Sequence, residues 1–502
     1  MTGPVRLSPS KNQNATGDQS SGLIKIVALS SFTAASVLVH GYHPMVEDAE
    51  IYVPAIRHLL NPGLYPHDSA FFAGQTKLSL FPQFVAVSIR LSHVPFDWAL
   101  FFWHVFSIFL LLAACWQLTE LCFPDSQAQW FGVALVASLL TMPVAGTALY
   151  IMDQYLTARS FSTAAAMWTV ASFTCKRWKT GLLWMAFTFA VHPLMAMFVI
   201  AYLAIWFLLS RPELFRPAVQ AVALGIVLPV TQAYRQAVST RSYLFLRSWQ
   251  WYEWLGALAP LAILWWFSRI GRKQGARALE LIARSLAVFG LLFFCLGLLV
   301  GFVPSLFALA EFQPMRSLHL IYILMLLLGG GLAAQSVVRE RTWLGLVLLL
   351  PICAGMFYAQ RQEFPSTAHI EAPWITPHNE WVEGFLWIRD HTPADAYFVL
   401  NPRLMSLAGE DEHGFRAIAE RSRLADLVKD PGAVTIAPRL AESWVVQVNA
   451  LNGWKEFQAS DFSRLRQQFG VNWALLEQPG MAGFDCPFQN RTLQVCRIPP
   501  YR

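Results

Sequence analysis

Charged residues are scarce in this chain. They make up 14% of its 502 residues, whereas a soluble domain carries about 25%. The shortage is concentrated between Leu23 and Tyr358, and charge returns after Gln360. Because one solvent does not account for both parts, we predict a lipid-embedded region followed by a water-exposed region.

Several motifs of common enzymes and pumps are also missing. The sequence has no Walker loop, no GxSxG, no HExxH and no CxxC pair, so ATP-driven transport and the common hydrolase mechanisms lack the residues they need. The net charge of +6 does not indicate nucleic-acid binding. The basic residues stand in short clusters between apolar runs, as they do in the cytoplasmic loops of membrane proteins.

Apolar runs divide the first 360 residues into candidate spans, since about 20 apolar residues cross the hydrocarbon as a helix. These spans are 24–40, 97–122, 128–150, 160–175, 217–237, 251–270, 281–304, 315–335 and 342–360. Segments 78–94 and 181–209 are ambiguous, and the second is broken at His192-Pro193, where proline bends a helix. We expect two half-helices there and an α-helical polytopic membrane protein with roughly 11 to 13 transmembrane helices.

Basic residues predict the orientation of the chain. The clusters at 176–179, 269–277 and 339–341, together with Lys25, favour the cytoplasmic side because cytoplasmic loops carry an excess of Lys and Arg. We therefore expect a cytoplasmic N-terminus in the inner (plasma) membrane of a bacterium.

Three parts of the chain follow from this orientation. We predict a disordered cytoplasmic arm at 1–22, a transmembrane domain at 23–360 with an outer loop at 41–77, and a periplasmic α/β domain at 361–502. In the last part, helical periodicity or strand-like alternation predicts helices and strands at 380–390, 396–400, 462–469, 471–476 and 492–498.

Two of the seven cysteines, Cys486 and Cys496, lie in the tail. A turn near 489–491 would bring their flanking segments together, and an oxidising periplasm then favours a disulfide. The other five cysteines fall in or beside apolar segments, where cysteine acts as a small buried hydrophobe.

The first outer loop carries three carboxylates in four residues, Glu47, Asp48 and Glu50. Mutual repulsion and partial burial raise the pKa of at least one such group. This suits a general base, or an oxygen site for a divalent cation such as Mg²⁺ or Mn²⁺. The alternative is a solvated acidic turn at the start of a helix over 50–60, since carboxylates favour helix N-termini.

Histidines of the outer regions are weaker candidates. His43, His58 and His67 share the first loop, but their spacing matches no compact metal motif, so we expect ordinary hydrogen bonds. His192, at the broken helix, either faces a cavity or is hydrogen-bonded within a proline kink.

Arginines at the outer side are candidate anion ligands. The excess of basic residues on the cytoplasmic side does not explain Arg159, which is predicted on the outer side. Arg159 either binds an anion or reaches lipid headgroups. Arg316 either binds phosphate or pyrophosphate or pairs with Glu311. Glu50, Glu311 and His192 are candidate cavity-lining residues. Three further arginines are candidates for contact with headgroups or a lipid-linked substrate: Arg235, Arg241 and Arg247.

The layout resembles the GT-C class of polyprenyl-phosphate-dependent membrane glycosyltransferases. The resemblance rests on the acidic cluster after the first span, the many spans and the outer α/β tail with its helix-to-strand junction at 387–396. The Glu-Asp loop and the Gln-Pro-Met-Arg turn at 313–316 also resemble those of bacterial membrane proteins of this kind.

This resemblance implies a glycosyltransferase that moves a sugar from a polyprenyl-phosphate donor to an acceptor on the outer face of the membrane. Asp48 or Glu47 would be the catalytic or metal-binding carboxylate, and Arg159 and Arg316 would hold phosphate. The lipid-linked sugar and membrane lipids would be its partners. The order Glu-Asp, in place of Asp-Asp or Asp-Glu, leaves the choice between the two carboxylates open.

Two other functions are compatible with the sequence. A secondary transporter would place its site at the midplane between repeated halves. A non-catalytic scaffold of the cell envelope would leave Glu47, Asp48 and Arg316 apart. An outer groove containing Asp48 and Arg316 favours the transferase. The sequence indicates no oligomeric state.

Overall fold

Helices make up most of the protein, whose computed structural model describes residues 15–211, 231–376 and 379–500. Up to residue 376 the α-helices are α1 (Ala15–His40), α2 (Ala49–Leu60), α3 (Ala70–Thr76), α4 (Phe81–Ser92), α5 (Phe96–Cys122), α6 (Ser126–Ala137), α7 (Ala158–Thr174), α8 (Trp178–Val191), α9 (Pro193–Ser210), α10 (Gln232–Ser239), α11 (Trp251–Lys273), α12 (Arg277–Phe302), α13 (Leu318–Ala333) and α14 (Thr342–Glu363). Helical structure begins at Ala15, which is earlier than the predicted end of the N-terminal arm.

Seven helical segments of the described residues are long and apolar enough to cross a membrane. They are Gly22–His40, Phe96–Cys122, Pro193–Ser210, Trp251–Lys273, Arg277–Phe302, Pro304–Val338 and Thr342–Glu363. The last of them is hardly covered by protein, and Leu346 and Leu350 on it are exposed. Large apolar side chains in contact with solvent would be costly, so these segments indicate a multi-pass membrane protein.

Several predicted spans differ from the structure. The segment 128–150 is not one helix, because α6 ends at Ala137 and an isolated bridge pairs Pro143 with Tyr150. The segment 160–175 forms α7, which is mostly buried in protein. The segment 217–237 lies largely outside the described residues. The segment 78–94, which the sequence leaves ambiguous, contains the 12-residue helix α4.

The break at His192 separates α8 from α9, as the sequence predicts. Pro193 begins α9, and His192 has φ −152° and ψ 88°. Near the opposite end of these helices, Phe173 and Trp178 are in ring contact across the α7–α8 turn, and Arg284 donates to the Leu209 carbonyl at 3.3 Å. The start of α8 therefore contacts the end of α7, and the end of α9 contacts α12.

The C-terminal part folds around a five-stranded mixed sheet. After residue 379 the elements are α15 (Glu380–His391), β1 (Tyr397–Val399), α16 (Phe415–Ala419), β2 (Ser422–Arg423), α17 (Asp430–Ile436), α18 (Ala441–Ala450), α19 (Ala459–Phe469), β3 (Trp473–Glu477), β4 (Asp485–Gln489) and β5 (Leu493–Arg497). The strand order is β2-β1-β3-β5-β4, with β1 parallel to β2 and β3, and β5 antiparallel to β3 and β4.

Alternation along these strands buries both faces of the sheet. Phe398 packs with Phe385 of α15 on one face, and Val399 packs with Phe462 of α19 on the other, as the twofold period of a strand requires. A disulfide joins Cys486 of β4 to Cys496 of β5, the two cysteines for which the sequence predicts it.

The first outer loop is packed against this C-terminal domain. The Glu47 amide donates to the Glu412 carbonyl at 2.8 Å, and the Gly414 amide donates to the Met45 carbonyl at 2.7 Å. Most of the residues of α2 are buried. The predicted outer loop at 41–77 is therefore held at the junction of the two parts of the molecule.

Candidate functional site

A cavity of about 790 Å³ lies at this junction. Seven of the residues singled out in the sequence line it: Glu47, Asp48, Arg159, His192, Arg241, Glu311 and Arg316. They come from the first outer loop, the start of α7, the helix break, the segment after α10 and the turn before α13. The scaffold alternative predicts that Glu47, Asp48 and Arg316 stay apart, whereas the structure brings them to one cavity.

Asp48 and Arg159 form an ion pair in the wall of the cavity. Arg159 Nη1 lies 3.0 Å from Asp48 Oδ2, and its Nη2 lies 2.9 Å from Oδ2 of the buried Asp153. Arg159 is itself buried, with 7% of its surface exposed. Two carboxylates hold this guanidinium, so it is fixed in one orientation.

Local backbone structure places Arg159 there. Thr157 and Ser160 form a capping box at the start of α7, and the Thr157 hydroxyl donates to Asp153 Oδ2 at 3.2 Å. A reciprocal cap of this kind satisfies amide groups that the first turn leaves without partners. Arg159 is the second residue of α7, so its guanidinium reaches Asp48 from a backbone that this cap holds in place.

Lys429, which the sequence analysis did not select, completes the acidic end of the cavity. It precedes α17 in the C-terminal domain, and its Nζ contacts Glu47 Oε2 and lies 3.4 Å from Asp48 Oδ1. No pattern around 429 separates this lysine from a surface lysine. It is found only when the fold brings the tail against the first outer loop.

The protonation of the acidic end depends on burial and on neighbouring charges. Burial raises the pKa of Asp48, but the positive charges of Arg159 and Arg316 outweigh it and hold that pKa below its ordinary value. Burial, followed by the charge of Asp48, raises the pKa of Glu412 to about 7. Burial lowers the pKa of Lys429 to about 7, while the two carboxylates beside it favour its ammonium form.

Two other arginines line the cavity without a carboxylate partner among the described residues. Arg316 lies over the ring of Tyr243, with the guanidinium carbon 5.2 Å from the ring centroid. Arg241 donates from Nη2 to the Lys429 carbonyl at 2.8 Å. The predicted alternative of an Arg316–Glu311 ion pair is absent from this part of the structure. Both guanidinium groups are therefore available to an anion.

Part of the cavity wall is apolar. Leu194 and Met197 of α9 line it, together with three exposed residues, Phe189 (59%), Ile200 (50%) and Phe312 (48%). Ile200 and Phe312 lie on two of the seven segments that are long and apolar enough to cross a membrane. A molecule with a charged head and an apolar chain would match both ends of this cavity.

Glu50 is a correction to the sequence analysis, because it does not line the cavity. It is fully buried and accepts a hydrogen bond from the Arg416 amide at 2.7 Å. Arg416 in turn binds Asp430 through both terminal nitrogens, each at 2.9 Å. Burial raises the pKa of Glu50 to about 7. This carboxylate therefore anchors α2 to the C-terminal domain.

His43 belongs to a second buried group at the same junction. Its Nδ1 lies 2.6 Å from Glu371 Oε1, and His413 Nε2 lies 3.2 Å from Glu371 Oε2. His58 Nδ1 lies 2.9 Å from the Leu64 carbonyl, and His67 stacks on Tyr397. Ordinary hydrogen bonds or ring contacts thus account for all three loop histidines.

The donor set at Glu47 and Asp48 does not fit the divalent cation that the GT-C resemblance implies. Lys429 contacts both carboxylates, and Arg159 occupies the second oxygen of Asp48. Within residues 15–211, 231–376 and 379–500, no group of three or more His, Cys, Asp or Glu side chains is arranged to hold a metal ion.

Known proteins supply no family for this chain, because neither a protein-family model nor a curated protein matches its sequence.

Proposed function

We propose that the protein is a membrane glycosyltransferase that moves a sugar from a polyprenyl-phosphate donor to an acceptor hydroxyl. The observation that carries this proposal is the lining of the cavity, which combines Asp48 and four basic side chains with apolar side chains, including Ile200 and Phe312 on candidate membrane spans. A polyprenyl-phosphate sugar has the same division between a polar head and an apolar chain.

The phosphate of the donor is assigned to Arg316 and Arg241. Both guanidinium groups line the cavity and neither is paired with a carboxylate in the described part of the chain. Arg159 is already held by Asp48 and Asp153, so its role is to orient Asp48 rather than to hold phosphate as the resemblance implies. Guanidinium groups bind phosphate through paired hydrogen bonds.

Asp48 is assigned as the base. Its lowered pKa keeps it ionised at neutral pH, and it accepts the proton of the acceptor hydroxyl as the oxygen attacks the anomeric carbon. The bond from that carbon to the phosphate oxygen breaks, and polyprenyl phosphate leaves with the bonding electrons. Arg316 and Arg241 stabilise the negative charge that develops on the departing phosphate.

The reaction is proposed for the outer face of the bacterial inner membrane. The loops at 124, 275 and 340 line one shared cavity, so the basic clusters near 269–277 and 339–341 lie together at one end. An excess of basic residues favours the cytoplasm. The candidate site would then lie on the opposite, periplasmic side.

The test is transfer of sugar from lipid extracts of a gene-deletion strain, in which polyprenyl-phosphate sugars should accumulate. Purified protein in detergent should consume these lipids, and Asp48→Asn should lower the rate by about 100-fold or more, since a positioned base contributes 10²–10⁴-fold. Asp485→Asn, in an exposed ion pair with Arg497, is the matched control and should retain full activity. Unchanged turnover by Asp48→Asn would refute the assignment.

A further inference from the structure

We propose that Lys429 of the C-terminal domain takes the position of a divalent cation between Glu47 and Asp48, so that this acidic pair works as an ammonium site and not as a metal site. The consequence for turnover rests on the proposed function, whereas the cation preference of the site does not.

The contacts of the acidic pair leave a metal ion little room. Lys429 Nζ touches Glu47 Oε2 and lies 3.4 Å from Asp48 Oδ1, while Arg159 Nη1 lies 3.0 Å from Asp48 Oδ2. Mg²⁺ requires oxygen atoms at about 2.0–2.1 Å in a near-octahedral arrangement. A cation placed between the two carboxylates would have to displace the lysine side chain.

Lys429 is held firmly in this position. Its amide donates to Asp426 Oδ1 at 2.6 Å, and its carbonyl accepts from Arg241 Nη2 at 2.8 Å. The next residue, Asp430, is fully buried and bound by both terminal nitrogens of Arg416. The backbone from which the Lys429 side chain extends is therefore fixed beside the anchor between the C-terminal domain and α2.

An ammonium in this position supplies what a metal would otherwise supply. It partly neutralises the repulsion between the Glu47 and Asp48 carboxylates. It also fixes the Asp48 carboxylate from one side while Arg159 fixes it from the other. The C-terminal domain thus contributes a positioning residue to a cavity lined mostly by residues that precede this domain in the chain.

The experiment measures Mn²⁺ binding by electron paramagnetic resonance on purified protein in detergent. The wild type and Asp48→Asn should bind the same amount of Mn²⁺. Lys429→Met should bind one additional Mn²⁺ per chain, and the double variant Lys429→Met with Asp48→Asn should lose it. Lys429→Arg keeps the positive charge and should behave as the wild type.

Other outcomes decide against the proposal. Mn²⁺ that the wild type binds and Asp48→Asn does not would overturn it, and so would loss of wild-type turnover in EDTA with recovery in Mg²⁺. If Lys429→Met does not fold, the comparison of the wild type with Asp48→Asn decides alone. Because Mn²⁺ binding is measured without turnover, a protein that transfers no sugar can still give the predicted binding pattern.

Discussion

Arg416 is a single residue on which the junction between the two parts of the molecule depends. Its guanidinium is 1% exposed and faces Glu50 and Asp430, which are fully buried. Removal of one partner from a buried charge group leaves the others unpaired, and this costs about 3–5 kcal/mol. We expect Arg416→Met to lower the free energy of unfolding by about this amount.

Thermal unfolding of purified Arg416→Met in detergent, followed by tryptophan fluorescence, measures this loss. The control is Arg497→Met, which breaks an exposed ion pair with Asp485 and should cost less than about 1 kcal/mol. Equal effects of the two substitutions would show that the buried group does not stabilise the junction.

Glu371 and His413 give the stability of the junction a predictable pH dependence. Burial raises the pKa of Glu371, but His413 and the hydrogen bond from His43 outweigh it and lower that pKa to about 2. Burial lowers the pKa of His413, but Glu371 raises it more. The Glu371–His413 pair therefore contributes its full stabilisation at pH values between the ordinary pKa of Glu, 4.5, and that of His, 6.5.

Glu371→Gln tests this dependence. The stabilisation is lost as the pH rises through the raised pKa of His413, and as it falls toward the lowered pKa of Glu371. Glu371→Gln should therefore lower the melting temperature, relative to wild type, more at pH 6 than at pH 9. The expected loss at pH 6 is roughly 1–3 kcal/mol. An identical difference at both pH values would contradict the ion pair.

The sequence predicted several cavity residues because their chemistry is unusual for their surroundings. Asp48 and Arg159 stand beside apolar segments, where charge is costly without a partner. Lys429 is different, since its burial and its contacts with Glu47 depend on a fold that brings the tail to the first loop. The sequence predicted Glu50 as a cavity residue. Its anchoring role depends on the position of Arg416, which only the structure gives.

Helices α6 and α13 pack closely against each other because glycines lie at their contact. A Cβ atom on Gly330 would lie 2.8 Å from the Gly132 Cα atom, and one on Gly132 would lie 2.7 Å from the Leu327 carbonyl oxygen. Small residues allow membrane helices to pack this closely. Gly330→Ala should therefore force the two helices apart and destabilise the protein by about 1–3 kcal/mol.

Gly355→Ala is the matched control, because a Cβ atom on Gly355 of α14 meets nothing within 4 Å. It should leave the melting temperature unchanged or raise it slightly, since alanine favours a helix by up to about 1 kcal/mol over glycine. Differential scanning calorimetry of both variants in the same detergent measures the contrast. A loss of stability in Gly355→Ala as large as that in Gly330→Ala would refute the close packing.

The sequence predicted helices correctly where a long apolar run was the dominant signal. The long apolar runs at 97–122 and 281–304 agree with α5 and α12 to within a few residues. The predicted span at 128–150 is wrong because hydropathy does not show that the chain leaves the helix at Ser138 and turns around Pro143. The short helices between 415 and 450 were missed because they pack against partners elsewhere in the chain.

The proposed orientation of the whole molecule is testable by cysteine labelling. Gly275 and Asn452 are both exposed, and the proposal places Gly275 in the cytoplasm and Asn452 in the periplasm. In a background whose free cysteines have been replaced, a membrane-impermeant maleimide added to intact cells should label Asn452→Cys and not Gly275→Cys. Lysed cells, in which both should react, are the control. Labelling of both positions in intact cells would contradict this topology.

The contact between Lys429 and Asp48 also has a consequence for biosynthesis, since the two residues are 381 positions apart. At 5–20 residues per second, the ribosome needs roughly 20–80 s to make the chain between them. During that interval the first loop exists without the lysine that it will contact. A nascent chain therefore cannot form this contact until Lys429 has been synthesised, and a premature stop before codon 429 leaves a product that cannot assemble it.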